Sequence, residues 1–285
     1  MVSLSSRVVR LVSSGLGLVG VASATVAPAS GGEPWPSRVV ATYKVAFNGF
    51  DIGSFRFQTA IGPQGYTADG NAELSALLGA FTWRGITRVA GHLDDTAPHP
   101  AGYSFDFRSS SRSGSVKLGF RQDNVTNVSM VPPAEDTGDQ VPVKEAHLKG
   151  VLDPLSAVLA LARLPQGSGD PCARKLSIFD GKQRFDLVLS HRRDERIQEG
   201  RPSGQPDVVH VCRVRFVPIA GHRRNEETRN LAEQTGIEVA LRPVPSANIY
   251  VPHQITVPTG LGSAVLTAQR VEIQSPSIGA IALTD

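Results

Sequence analysis

Apolar and polar positions alternate through most of this chain and change to a helical period at one place. Residues 39–47 (VVATYKVAF) alternate, Asn48-Gly49 suits a tight turn, and residues 52–59 (IGSFRFQT) alternate again, which predicts a β-hairpin with one buried face. The same signal predicts strands at 65–72, 82–93, 102–109 and 113–123, an antiparallel meander. Residues 131–143 (VPPAEDTGDQVPV) carry turn chemistry at almost every position and predict a long exposed loop. A helix is expected next: Asp153 caps it, Pro154 suits its first position, and Leu155, Val158, Leu159 and Ala162 recur at helical spacing before Pro165. Its apolar face is expected to cover one side or end of the sheet. Strands resume at 175–179 and 184–190, joined through Asp180-Gly181, and again at 208–218, 238–242, 248–257 and 263–274, with a charged loop around 223–229. No repeat of fixed period is present. The pattern predicts a mainly β fold: a single long antiparallel sheet, curved into an open barrel or half-pipe, with one or two helices.

The N-terminus reads differently. Arg7 and Arg10 form a positive region, residues 11–21 (LVSSGLGLVGV) an apolar one, and Ala22-Ser23-Ala24 a small-residue cleavage site, so residues 1–24 are expected to be a secretory signal peptide. Residues 25–37, rich in Pro and small residues, are expected to be a disordered lead-in, and 38–285 a single β-rich domain. No apolar stretch of 18 or more residues follows, so a transmembrane anchor is not expected. Export and an oxidising compartment favour a bond between the two cysteines, Cys172 and Cys212, over a metal or redox pair; two separately buried thiols are the alternative.

Charge and motifs narrow the function by exclusion. The formal charge of +3 falls to +1 once Arg7 and Arg10 leave with the signal, too little for a nucleic-acid binder. The basic runs His191-Arg192-Arg193 and His222-Arg223-Arg224 are each followed by acids and read as solvated hairpin tips or loops. The seven histidines form no HExxH, no short His-x-His pair and no cluster with cysteine, so spacing supports no metal site, and no cofactor motif occurs in the mature chain. No serine sits in a GxSxG elbow or an SxxK motif, and no catalytic residue can be named. Asn124-Val125-Thr126 and Asn127-Val128-Ser129 match a glycosylation sequon, which matters only in a eukaryotic secretory pathway. The densest polar cluster, residues 179–186 (FDGKQRFD), has two readings. In one, Asp180-Gly181 makes a turn while Arg184 and Asp186 share a strand face and pair with neighbours; in the other, Arg184 stands at the mouth of an apolar cavity and holds an anionic head group.

The opening YKVAFNGFDIG (43–53), the helix start Asp153-Pro154-Leu155, the stretch 172–187 with its IFDGKQRFDL core, the second cysteine at Cys212 and the late Val251-Pro252 strand together resemble an exported bacterial family called domain of unknown function 3108. The resemblance spans nearly the whole mature chain and implies a periplasmic location in a Gram-negative cell envelope and a β-rich fold. It carries over no catalytic residues. Curved sheets of this size serve as lipid carriers, so by analogy of fold the expected function is non-enzymatic binding of a lipid, acyl chain or other hydrophobic ligand. Phe47, Phe55, Phe57, Phe81 and Trp83 are the expected cavity lining, with ordinary packed core as the competing reading. A structural protein with a self-filled barrel, contacting an envelope protein partner through the 131–143 and Arg223 loops, is the alternative; a hydrolase of envelope polymers is the remaining one and lacks a nucleophile–base pair.

Overall fold

A computed structural model describes residues 34–76, 79–95, 97–133, 138–164 and 169–284. The expected signal peptide and most of the lead-in lie outside them. The described residues form one compact unit.

Seven strands run as a meander: β1 Arg38–Phe47, β2 Phe50–Gly62, β3 Gly65–Ala76, β4 Phe81–Leu93, β5 Pro98–Ser109, β6 Ser113–Arg121 and β7 Asn124–Val131. After the helix α1, Pro154–Leu161, come β8 Lys175–Phe179, β9 Arg184–Arg196 and β10 Val208–Ala220. A second helix, α2 Glu226–Glu233, precedes β11 Glu238–Val244, β12 Ile249–Thr259, β13 Gly262–Ser275 and β14 Gly279–Thr284. All fourteen belong to one antiparallel sheet in the order β7-β6-β5-β4-β3-β2-β1-β13-β12-β11-β10-β9-β8. The sheet forks at β13, whose first half pairs with β12 and whose second half pairs with β14.

The ladder does not close strand to strand. The segment 149–152 stands between its two ends instead. Lys149 bridges Asn124 at the start of β7, Leu152 bridges Ile178 of β8 in parallel, and the Val151 amide donates to the Asp123 carbonyl at 3.2 Å. Beyond it, the β8–β9 turn abuts β6: a Cβ on Gly181 would lie 2.3 Å from a Val116 methyl. The result is an open barrel whose two ends approach each other across a short linking segment.

The chain leaves that segment directly into α1, and the local sequence fixes how. Asp153 is fully buried and accepts the amides of Leu155 at 2.9 Å and Ser156 at 3.0 Å together with the Ser156 hydroxyl. Pro154 fits the first turn because its missing N–H would have no partner there. At the other end Arg174 donates to the carbonyls of Ala160 at 2.6 Å and Arg163 at 2.7 Å, a cation on the negative end of the helix. Leu155, Ala157, Leu159 and Ala160 are all buried, so α1 is covered on several sides, as an interior helix must be. Its Ser156 hydroxyl meets the Tyr66 hydroxyl of β3 at 2.7 Å, and Leu155 and Leu159 join Tyr43, Phe57, Tyr66 and Leu118 in the main core. A second core surrounds the disulfide between Cys172 and Cys212, with Leu189, Val214, Ile237 and Leu241.

Several expectations are corrected. Trp35 and Pro36 belong to the folded unit: Pro36 is buried, the Trp35 indole donates to the Asp94 carbonyl, and the Arg163 guanidinium lies 4.3 Å from its ring centre. The run from His191 onward is not a hairpin tip but the second half of β9, its arginines neutralised across the sheet by Glu238. The loop expected at 223–229 contains the start of α2, whose cap is the Asn225 side chain accepting from the Thr228 amide at 3.0 Å. Strands β7 and β14 lie outside the segments that the alternation predicts. The described part of the 131–143 loop is pinned rather than free: the Val141 amide donates to the His222 carbonyl at 3.0 Å, and the Val141 carbonyl accepts the Gly221 amide at 2.7 Å.

Candidate functional site

The interior of the open barrel is divided. Where α1 crosses β3 and β4 it is packed; between the helix and strands β5 to β7 a cavity of about 740 Å³ remains. Period-two alternation builds its floor, because Tyr103, Phe105 and Phe107 point to one face of β5 and Phe55 of β2 lies beside them. Val116 and Met130 form one wall, and Pro154, Leu155 and Val158 of α1 form the other. Pro132 and Pro133 lie at the outer edge, beyond β7. The aromatic floor is continuous: Phe105 and Phe107 have ring centres 5.8 Å apart, and Trp83 packs on Phe105 at 6.3 Å.

The polar groups of the lining are unequal in sign. Arg112 at the β5–β6 turn, Lys182 at the β8–β9 turn and Arg223 after β10 contribute three cations. The one carboxyl, Asp180, is engaged in its own turn, accepting the Lys182 amide at 2.8 Å and the Gln183 amide at 2.6 Å. Burial pushes its pKa up, with the two amides opposing. Tyr103 is likewise raised by burial, so its hydroxyl stays protonated at neutral pH. The lining contains no histidine or cysteine. Such a pocket can take up an apolar chain along its floor and an anionic group among the three cations, within the size range of about 300–1,000 Å³ common to ligand sites.

The six residues expected to form the site are dispersed by the fold. Phe55 lines the cavity, and Trp83 supports it through Phe105. Phe57 is buried in the main core on the other side of α1, its competing reading as packed core. Phe47 is half-buried at the β1–β2 hairpin end, and Phe81 is 44% exposed at the start of β4. Arg184 does not reach the cavity; it donates to Asp186 at 2.6 Å, and Asp186 also receives the Ser177 hydroxyl at 3.0 Å and Lys175 at 2.9 Å. The cation that does reach it is Lys182, two residues earlier. The row Tyr103, Phe105, Phe107 was visible as aromatics spaced by two, and that signal was the one available for the floor.

Fold and pocket together define a β-barrel-like protein with an open, partly helix-filled interior. Residues 42–269 match the family described as "Protein of unknown function (DUF3108)", and the chain belongs to that family. A crystal structure titled "Beta-barrel-like Protein of Domain of Unknown Function DUF1849" from Brucella abortus is similar, with a TM-score of 0.49 and 10% identity, covering 85% of this chain and 98% of that one. Comparison with curated proteins gives no match. Among the described residues no helix is long and apolar enough to cross a membrane. The disulfide accords with an oxidising compartment.

Proposed function

We propose that this protein is a non-enzymatic binding protein of the Gram-negative periplasm that holds a lipid or other acyl-chain amphiphile in the cavity beneath α1. The observation that carries the reading is the pocket itself: about 740 Å³ left open over an aromatic floor in an interior that α1 fills elsewhere. Apolar floor residues left facing water in this open pocket lose free energy that burial under a ligand's acyl chain would recover. Arg112, Lys182 and Arg223 supply the preference for an anionic head group.

Native mass spectrometry of protein purified from an oxidising periplasm, followed by titration with a long-chain fatty acid, tests the proposal. A one-to-one adduct, lost in Phe105→Asp and weakened in Arg112→Ala/Lys182→Ala, supports it; the second variant alters only turn residues and leaves the floor intact. A ligand-free mass with no uptake sinks it. That outcome would favour the second reading, an envelope interaction protein whose barrel is filled by its own side chains, which the packing of Leu155 and Leu159 into the core supports.

A further inference from the structure

His191 and Asp194 stand three residues apart on β9, a spacing that puts side chains on opposite faces of a regular strand. The strand is not regular there. Val211 of β10 pairs with Arg193 and Cys212 pairs with His191, so Arg192 is an extra residue, a β-bulge that restores parity between positions 191 and 194. His210 of β10 is directly opposite Asp194. One Asp194 oxygen therefore receives both rings, His191 Nε2 at 3.0 Å and His210 Nδ1 at 2.8 Å, and the three donor atoms lie within 4.8 Å of one another. The same bulge sends Arg192 and Arg193 to the other face, where Glu238 takes both guanidinium groups, so the two nearest cations are turned away from the cluster.

From this juxtaposition we propose that His191, Asp194 and His210 form a binding site for a divalent transition-metal ion such as Zn²⁺. Two imidazoles and a carboxylate match the borderline-soft ions and not Ca²⁺ or Mg²⁺, which take mostly oxygen ligands. Tetrahedral coordination with bonds of about 2.0–2.2 Å separates neighbouring donors by about 3.3 Å, so the 2.8 and 3.0 Å contacts to Asp194 open by a few tenths of an ångström, while the two ring nitrogens, within 4.8 Å of each other, swing together to the same separation. For the ion to bind, the ring protons must sit on His191 Nδ1 and His210 Nε2, which leaves the lone pairs of the nitrogens facing Asp194 free to coordinate it. Three protein ligands leave a fourth position to solvent, and the cluster is surface-accessible: His191 is 45% and Asp194 53% exposed. The other histidine held by two carboxylates differs in kind. His99 contacts Asp123 through Nδ1 and Asp94 through Nε2, on opposite edges of the ring, so those three groups cannot converge on one ion.

Isothermal titration of the untagged, metal-free, disulfide-bonded protein with ZnCl₂ is the test. One equivalent is expected, weakened by at least about tenfold in His210→Ala and in Asp194→Asn, with the one-equivalent signal gone in His191→Ala/His210→Ala. Zn²⁺ should raise the melting temperature of the wild type and not of the double variant, which also shows that the variant is folded. Absence of binding to the wild type, or one equivalent that survives in the double variant, overturns the assignment.

Discussion

Replacing both Cys172 and Cys212 by alanine tests how the β8–β10 end of the sheet is held together. The bond joins the segment before β8 to the middle of β10, 40 residues apart in sequence. In the chain-entropy treatment, closing a loop of about 40 residues removes about 13 cal/mol/K from the unfolded chain, or about 4 kcal/mol at 25 °C. Both cysteines are fully buried in a cluster with Leu189, Val214, Ile237, Val239 and Leu241, so losing the two sulfurs adds a cavity cost on top. For a domain of this size each kcal/mol shifts the midpoint by about 2–4 °C, so the double variant should melt about 8–16 °C below the oxidised protein. Calorimetry on both proteins, with urea unfolding as the isothermal check, measures this. A difference of less than about 3 °C would refute the argument, because it would mean that the β8–β10 region is already tethered in the unfolded chain.

Three further measurements bear on the barrel seam, the histidine on its rim and the cavity. Gly181 has φ +100° and no room for a Cβ against Val116, so Gly181→Ala should cost about 1–3 kcal/mol by denaturant unfolding; a loss under about 0.5 kcal/mol would mean that the β8–β9 turn does not press on β6. His99 is raised in pKa by its hydrogen bond to Asp94, against some burial, with Asp123 adding to the rise. A group raised on folding contributes stability that is fully present below its unfolded pKa, about 6.5, and is lost as pH rises through the folded value, so the melting deficit of His99→Gln should be larger at pH 5.5 than at pH 8.5. Equal deficits at the two pH values would refute that sign. Gly114→Ala should shrink the cavity and reduce fatty-acid uptake, because the new methyl would meet the Phe107 ring at 2.6 Å and must displace it; unchanged uptake would show that Phe107 is not part of the floor.

Much of the architecture was legible because its signals are local. The Asn48-Gly49 turn takes the two left-handed conformations that a tight hairpin demands, and the Asp153-Pro154 pair starts α1 where the cap chemistry says it should. Where the signal depends on a distant partner the reading failed. β7 and β14 are edge elements, with mostly exposed residues or few of them, and their pairing is set by β6 and β13. The charged stretch after His191 reads as a loop until Glu238, 45 residues on, is known to face its arginines. Arg184 and Lys182 could not be ranked as cavity cations from spacing, since the choice depends on which side of the β8–β9 turn meets β6. The His191–Asp194–His210 cluster was hidden for a related reason: parity along a strand separates positions 191 and 194 unless a bulge intervenes, and the bulge is a property of the β9–β10 pairing.

How far the aromatic rings of the floor project into the cavity depends on what lies under them. A phenylalanine packed across a glycine occupies the space of the missing side chain, whereas a side chain at that position would push the ring further into the barrel. Phe107 lies over Gly114 on the neighbouring β6, with a hypothetical Cβ 2.6 Å from the ring, and Phe55 lies over Gly70 of β3, at 3.1 Å. Trp83 covers Gly85 on its own strand in the same way, at 2.3 Å. Each glycine weakens its strand, since it contributes no side chain to the pleated surface and has more backbone entropy to lose. The three sit under the cavity floor or its Trp83 support, and in the packed half Tyr66 likewise crosses a glycine, Gly91 of β4, at 2.9 Å. A side chain at Gly114 or Gly70 would push the ring above it toward the cavity, so these two positions set how far Phe107 and Phe55 project into the pocket.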